Sequence, residues 1–248
     1  MPPQPPTNSP RPARSPGFDR VAPVYPRLER LVHGQRLERG RQAFLPELSD
    51  CRNLLLLGEG NGRFLSALLA QNPTCAVTVV EVSPRMIAHA RQRLSAADAG
   101  RVSWIEASAL EVELPAESFD AVVTHYLFDL FNLDGQAQLL ANGLRALRPG
   151  GLWQDTEFRA GGPTRFVRLS NRLLLAASYR FLGALCDFPA RQLADHRPLM
   201  HDAGLELLEE RPLGHLLAAR LWRRAETLPA DQNVPSHPSK TAPCSLKP

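Results

Sequence analysis

Lysine is nearly missing from this chain: of 29 basic residues only Lys240 and Lys247 are lysines, so arginine carries the net charge of +4. The arginine-rich stretch 11–41 is interspersed with Asp and Glu and has few alternating aromatics. That pattern predicts no nucleic-acid partner. Cysteine is also scarce, and Cys51, Cys75, Cys186 and Cys244 are scattered without a second Cys or a His at ligand spacing. That pattern favours reduced structural thiols in a cytoplasmic protein over a disulfide scaffold, and no metal site is expected. No apolar run approaches the length of a bilayer crossing, and the amino-terminal stretch lacks the apolar centre of a secretion signal. The expectation is a soluble protein without stable membrane insertion.

What is present is enough apolar material for one core: 44% of 248 residues are hydrophobic. The two ends do not contribute to it. Residues 1–16 contain seven prolines, and residues 225–248 are similarly polar and proline-rich. Neither buries enough apolar surface to offset the entropy of ordering, so both are expected as flexible tails around a domain spanning 17–224.

Within that domain strands and helices alternate. NLLLLG (53–58), AVTVVEV (76–82), RVSWIEA (101–107), FDAVVTHY (119–126) and LWQDTEF (152–158) read as strands. GRFLSALLAQN (62–72) has helical spacing, and SPRMIAHARQRLSAA (83–97) opens with a Ser cap and a Pro in the first turn. DGQAQLLANGLRALRPGG (134–151) reads as a helix stopped by Pro-Gly-Gly, and 204–213 with 215–224 as a terminal antiparallel pair. The strands are too apolar to have one wet face. The fold class is therefore α/β: a doubly wound, mostly parallel seven-stranded sheet with an antiparallel C-terminal pair and a helical insertion.

Ligands of such sheets lie beyond the carboxyl ends of the strands. There the first strand runs into Gly58, Glu59, Gly60 and Gly62, and the second closes on Glu81, placed to accept hydrogen bonds from ribose hydroxyls. A dinucleotide site wants G-x-G-x-x-G/A. Here the third glycine comes one residue early and Arg63 holds the small-residue position. A ligand with ribose and adenine but no phosphate fits better, and NAD(P) stays as the alternative.

LLLLGEGNGRFL, VVEVSPRMIAHAR, WIEASALEVELPAESFDAVVTHYLFDLF and LRALRPGGLW, taken in order, resemble the motif series of class I S-adenosylmethionine-dependent methyltransferases. GFDRVAPVYPRLERLVHG resembles the amino-terminal segment of menaquinone and ubiquinone C-methyltransferases. The resemblance implies S-adenosyl-L-methionine as cofactor and a Rossmann-like methyltransferase fold. It also implies that the backbone of Gly58, Glu59, Gly60 and Gly62 holds the methionine part. Glu81 would hold the ribose, Val82 and Met86 flank the adenine, Ser108 and Ala109 face the adenine amino group, and His125 lies near the sulfonium. Leu56 and Ser108 depart from the acidic residues common at those positions, and Glu59 would be the candidate to replace the lost carboxylate.

Methyl transfer needs alignment and water exclusion first, and a base only when the acceptor must lose a proton. Candidate catalytic residues are His125, Tyr126 and Asp129 after the fourth strand, with Tyr25 from the amino-terminal segment; Arg41 is a candidate for the cofactor carboxylate. The insertion 164–188 has a wide apolar face that favours packing, with a contribution to an apolar acceptor pocket, over membrane docking. The expected partner is a small-molecule substrate, with a homodimer left open. A non-catalytic cofactor-binding protein is the remaining alternative.

Overall fold

The computed structural model describes residues 35–186 and 195–226. Residues 1–16, the amino-terminal segment with Tyr25, and nearly all of 225–248 lie outside the described residues. The elements run α1 (Arg36–Arg41), β1 (Asn53–Leu57), α2 (Arg63–Gln71), β2 (Ala76–Glu81), α3 (Pro84–Arg91) and α4 (Ala96–Ala99). They continue with β3 (Val102–Glu106), β4 (Phe119–His125), α5 (Leu133–Ala146), β5 (Leu147–Phe158), α6 (Arg165–Cys186), α7 (Arg197–Asp202), β6 (Leu205–Pro212) and β7 (Leu217–Arg224).

The seven strands form one sheet in the order β3-β2-β1-β4-β5-β7-β6. β1 pairs in parallel with β2 and β4, β2 with β3, and β4 with β5, while β7 runs antiparallel to both β5 and β6. Strand order reverses between β1 and β4, which puts the crevice of a doubly wound sheet over their carboxyl ends.

The leucine run of β1 explains why both faces are covered. Side chains alternate along a strand, so Leu54 and Leu56 pack with Phe64, Leu65 and Leu68 of α2 on one face. Leu55 and Leu57 join Leu139, Trp153 and Trp222 on the other. Each fully buried leucine contributes about 1.5–3 kcal/mol. Leu56, where an acidic residue is common, is 1% exposed and belongs to this packing.

Two expected elements are corrected. The helix read across 83–97 is two helices, because Ser95 starts a second one by accepting a hydrogen bond from the Asp98 N–H at 3.1 Å. The helix expected to be stopped by Pro149-Gly150-Gly151 ends earlier, at Ala146, and Arg148-Pro-Gly-Gly belongs to β5. A register shift against β4 between Phe119 and Ala121 absorbs the irregular residues. That entry is pinned by Asp120, which accepts from the Arg52 and Asn53 N–H groups and pairs with Arg148 at 2.6 Å.

Candidate functional site

The turn after β1 combines two glycines with opposite surroundings. Gly62, at φ +81°, caps α2, and a Cβ there would lie 2.6 Å from Ala90 Cα of α3. Its absent side chain lets two helices meet. Around Gly60, at φ +69°, no heavy atom of the described residues beyond its chain neighbours lies within 4 Å of where a Cβ would stand. Its absent side chain faces open space, and a ligand can reach the backbone there.

Glu81 ties this turn to the end of β2. Its Oε2 accepts from the Gly60 N–H and its Oε1 from the Ser83 N–H, both at 2.9 Å, and the residue is only 7% exposed. A buried carboxylate held by backbone N–H groups is a fixed acceptor at the end of β2. Ser83 in turn caps α3 by accepting from the Met86 N–H at 3.2 Å. Met86 is buried and Val82 half-buried beside this cap.

After β3, Ser108 and Ala109 form a tight turn. Ser108 Oγ accepts from the Leu110 N–H at 3.2 Å, and the Ala109 carbonyl accepts from Asn142 Nδ2 at 3.0 Å. The loop is joined to β2 by the Ala107 N–H donating to the Glu81 carbonyl. The serine thus builds the turn that brings this loop alongside Glu81.

Glu59 is tied to the helix that follows the turn. Its Oε1 accepts from the Leu65 N–H at 3.0 Å, capping the first turn of α2. Burial pushes its carboxyl up to about 7, against the lowering effect of that hydrogen bond and of Arg41. Arg41 ends α1 with its side chain 11% exposed, so it is not a solvated surface residue. Its guanidinium lies 5.1 Å from the centre of the Tyr126 ring.

His125 closes β4 and meets Phe64 edge-on, with ring centres 4.6 Å apart. Gln154 Nε2 donates to the Arg41 carbonyl at 2.7 Å, which fixes the amide's orientation, and lies 3.1 Å from His125 Nε2. That imidazole nitrogen must therefore accept, leaving the ring proton on Nδ1. Burial, reinforced by the Arg41 charge, lowers the His125 pKa to about 3. The imidazole is neutral.

Tyr126 takes φ +56°, uncommon for a bulky residue, and its hydroxyl donates to the Leu37 carbonyl at 2.9 Å. Strain of this kind is held only where the surroundings enforce it. Part of the enforcement comes from Glu157, whose Oε1 accepts from the Leu127 and Phe128 N–H groups, both at 3.0 Å. Burial, then the neighbouring Asp129 and Asp155 charges, push the Glu157 carboxyl well above the usual range.

Arg41, Glu59, Gly60, Glu81, His125 and Tyr126 are thus gathered over the carboxyl ends of β1, β2 and β4. Asp129 is placed differently: it is 4% exposed, in the interior beside Glu157. Gln154 and Glu157 are site-shaping residues that the sequence reading did not single out. Their signal was the polar run Gln154-Asp-Thr-Glu inside a strand of an otherwise apolar sheet.

Beyond the end of β5 opens a cavity of about 290 Å³, lined by Phe158, Arg159, Arg168, His196, Arg197 and Arg220 among others. Phe158 connects it to the site, its ring centre 5.5 Å from that of Tyr126. Most of these arginines are neutralised: Arg159 and Arg220 pair with Glu210, and Arg197 with Asp195. Among the described residues no cluster of His, Cys, Asp and Glu could hold a metal ion. Cys51 and Cys75 are buried free thiols, and burial raises the pKa of both.

Residues 54–151 match the sequence profile of a methyltransferase domain family. The chain is 32% identical over 118 residues to the malonyl-(acyl-carrier protein) O-methyltransferase of Paenibacillus sp. (strain JDR-2), covering 47% of this chain but 41% of that protein. It is 28% identical over 233 residues to the ubiquinone/menaquinone biosynthesis C-methyltransferase UbiE of Syntrophotalea carbinolica, covering 87% of this chain and 95% of that one. Among solved structures, the Burkholderia thailandensis 1,6-didemethyltoxoflavin-N1-methyltransferase with bound 1,6-didemethyltoxoflavin and S-adenosylhomocysteine aligns with a TM-score of 0.60 at 17% identity. That alignment covers 89% of this chain and 94% of the other.

Proposed function

We infer that this chain, which belongs to the class I S-adenosylmethionine-dependent methyltransferases, transfers the cofactor's methyl group to a small molecule. The observation that carries this reading is the pairing of Gly60 with Glu81. An open, side-chain-free backbone stands beside a buried carboxylate at the topological switch point of the sheet. These residues fit the cofactor: a Cβ at Gly60 would intrude on the space a ligand needs, and the Glu81 carboxylate is an acceptor of the kind ribose hydroxyls donate to.

The cofactor supplies an activated methyl group on a sulfonium centre. The backbone of Gly58 to Gly62 and the Glu81 carboxylate bind and orient it, with Val82, Met86, Ser108 and Ala109 at the adenine. Arg41 meets its carboxylate. His125 serves by position, because a neutral imidazole adds no charge beside a sulfonium and a pKa of about 3 makes it a weak base. Tyr126 and Phe158 stand between this centre and the cavity beyond β5, which we assign to the acceptor. Its size suits a small molecule rather than a macromolecular substrate. Catalysis on this reading is alignment and water exclusion, without a dedicated base.

Calorimetric titration of the chain with S-adenosylmethionine, S-adenosylhomocysteine and NAD tests the cofactor. Binding of the first two and not the third is expected; NAD binding alone would overturn the assignment. Turnover against a panel of small-molecule acceptors then separates an enzyme from a binding protein.

A further inference from the structure

The helix α6 leaves one apolar stripe uncovered. Phe166, Leu169 and Leu173 are 79%, 56% and 63% exposed. At 3.6 residues per turn these three fall within about 60° of one another around the helix. Leu175, on the opposite side, is buried, so the helix already has an inner face and this stripe is a second, outward one. The broad apolar face expected to pack inward is therefore divided between the two. Arg165, Arg168 and Arg172 are exposed along one flank of the stripe. No acidic residue occurs from Arg159 to Cys186.

We propose that this face of α6 docks the protein reversibly on an anionic lipid surface, the leucines and phenylalanine entering the acyl boundary and the arginines meeting the headgroups. Apolar residues on one face with arginines beside them are what interfacial binding requires. Among the described residues no helix is long and apolar enough to cross a membrane, so the mode is surface attachment.

Charge decides against the other occupants. An isologous contact between two copies would set the same arginines against each other across a two-fold axis. The chain's own ends have the wrong sign too. Residues 1–34 carry five arginines against Asp19 and Glu29, and residues 227–248 carry Lys240 and Lys247 against Asp231. Nucleic acid would satisfy the arginines but leave the Phe166–Leu169–Leu173 stripe in water. Arg168 also lines the cavity beyond β5, so docking would bring that cavity to the lipid surface.

The test is flotation of the full chain with vesicles of phosphatidylcholine, with and without phosphatidylglycerol, at low and high salt. Binding to the phosphatidylglycerol vesicles, weakened by salt, is expected. Replacing Arg165, Arg168 and Arg172 together by Gln should reduce partitioning by roughly fivefold per arginine. Replacing Phe166, Leu169 and Leu173 together by Ser should abolish it. All six positions are exposed, so both variants should keep the parent's circular dichroism and melting temperature. The proposal is overturned if the parent does not float with anionic vesicles, or if either folded variant floats as well as the parent. It is equally overturned if light scattering shows a dimer that the Ser variant converts to monomer, or if the face retains DNA or acidic polypeptide but not vesicles.

Discussion

Replacing Gly60 and Gly62 by alanine, one at a time, separates a ligand-facing glycine from a packing glycine. Both have left-handed backbones, at φ +69° and +81°, so each alanine costs about 1–2 kcal/mol in backbone strain. At Gly60 that is the whole cost, since among the described residues nothing beyond the chain neighbours lies within 4 Å of the new methyl. At Gly62 the methyl also meets Ala90 Cα at 2.6 Å and the Ala90 carbonyl oxygen at 3.2 Å. Relieving that contact forces α2 and α3 apart, adding about 1–3 kcal/mol. With about 2–4 °C lost per kcal/mol in a domain of this size, Gly60→Ala should lower the melting temperature by about 2–8 °C. Gly62→Ala, at about 2–5 kcal/mol in total, should lower it about twice as much. Affinity should run the opposite way. The Gly60→Ala methyl occupies ligand space, so S-adenosylhomocysteine should bind at least about tenfold more weakly, a loss of about 1.4 kcal/mol. The surviving folded fraction of Gly62→Ala should bind nearly as the parent does. Differential scanning fluorimetry and calorimetric titration read the two axes independently. The reasoning fails if Gly60→Ala binds the ligand normally, or if the two alanines cost the same stability.

Glu81→Ala should weaken S-adenosylhomocysteine binding and also loosen the turn, since Gly60 and Ser83 lose their acceptor; titration showing unchanged affinity would remove Glu81 from the site. His125 should stay neutral through the range where free imidazole titrates, about 6.5, because its pKa is lowered to about 3. An NMR titration of its ring with a midpoint near the free value would contradict the buried, Gln154-bonded placement. S-adenosylmethionine affinity should rise as pH passes upward through about 7, where Glu59 ionises and favours a cation. Glu59→Gln should flatten the rise, and a parent profile flat across that window would refute it. The fold raises the Glu157 pKa, so its contribution is complete at low pH and is lost as pH rises from the ordinary carboxyl range through its raised value. Glu157→Gln should flatten that loss in denaturation curves, whereas Glu157→Ala should cost about 1–3 kcal/mol for each amide left without an acceptor.

The sheet was legible because its signal is redundant. A parallel strand buried on both faces must be apolar at every position, and β1, with Leu54 to Leu57 all at 1% exposure or less, meets that condition without ambiguity. The terminal pair β6 and β7 was equally readable as a hairpin-like repeat of apolar runs. What misled was local chemistry that serves two masters. Pro149-Gly150-Gly151 looks like a helix stop, and it does follow one. Yet the residue that ends the helix is Leu147, already paired with Phe119 in the sheet. Tertiary pairing, supplied by a strand 28 residues earlier, overrode a local stop signal three residues too late. Ser95 is the converse case: a second cap within one apolar-periodic stretch, weaker as a pattern than the periodicity it interrupts.

The candidate site was legible only where chemistry is carried by backbone and strand ends. Glycine spacing and a strand-terminal carboxylate are sequence-local, and Gly60 and Glu81 meet where that logic puts them. The residues that set the electrostatics are not local. Gln154 fixes the His125 tautomer across 29 positions, and Arg41 reaches His125 and Glu59 from a helix that precedes the sheet. In a list of candidates, Asp129, His125 and Glu59 are interchangeable acids and bases. In the fold they are an interior carboxyl beside Glu157, a neutral imidazole and a helix cap. Residue type names the groups able to carry a proton, but burial and partners decide which of them can do so at neutral pH. In this fold burial weighs against His125 acting as the base.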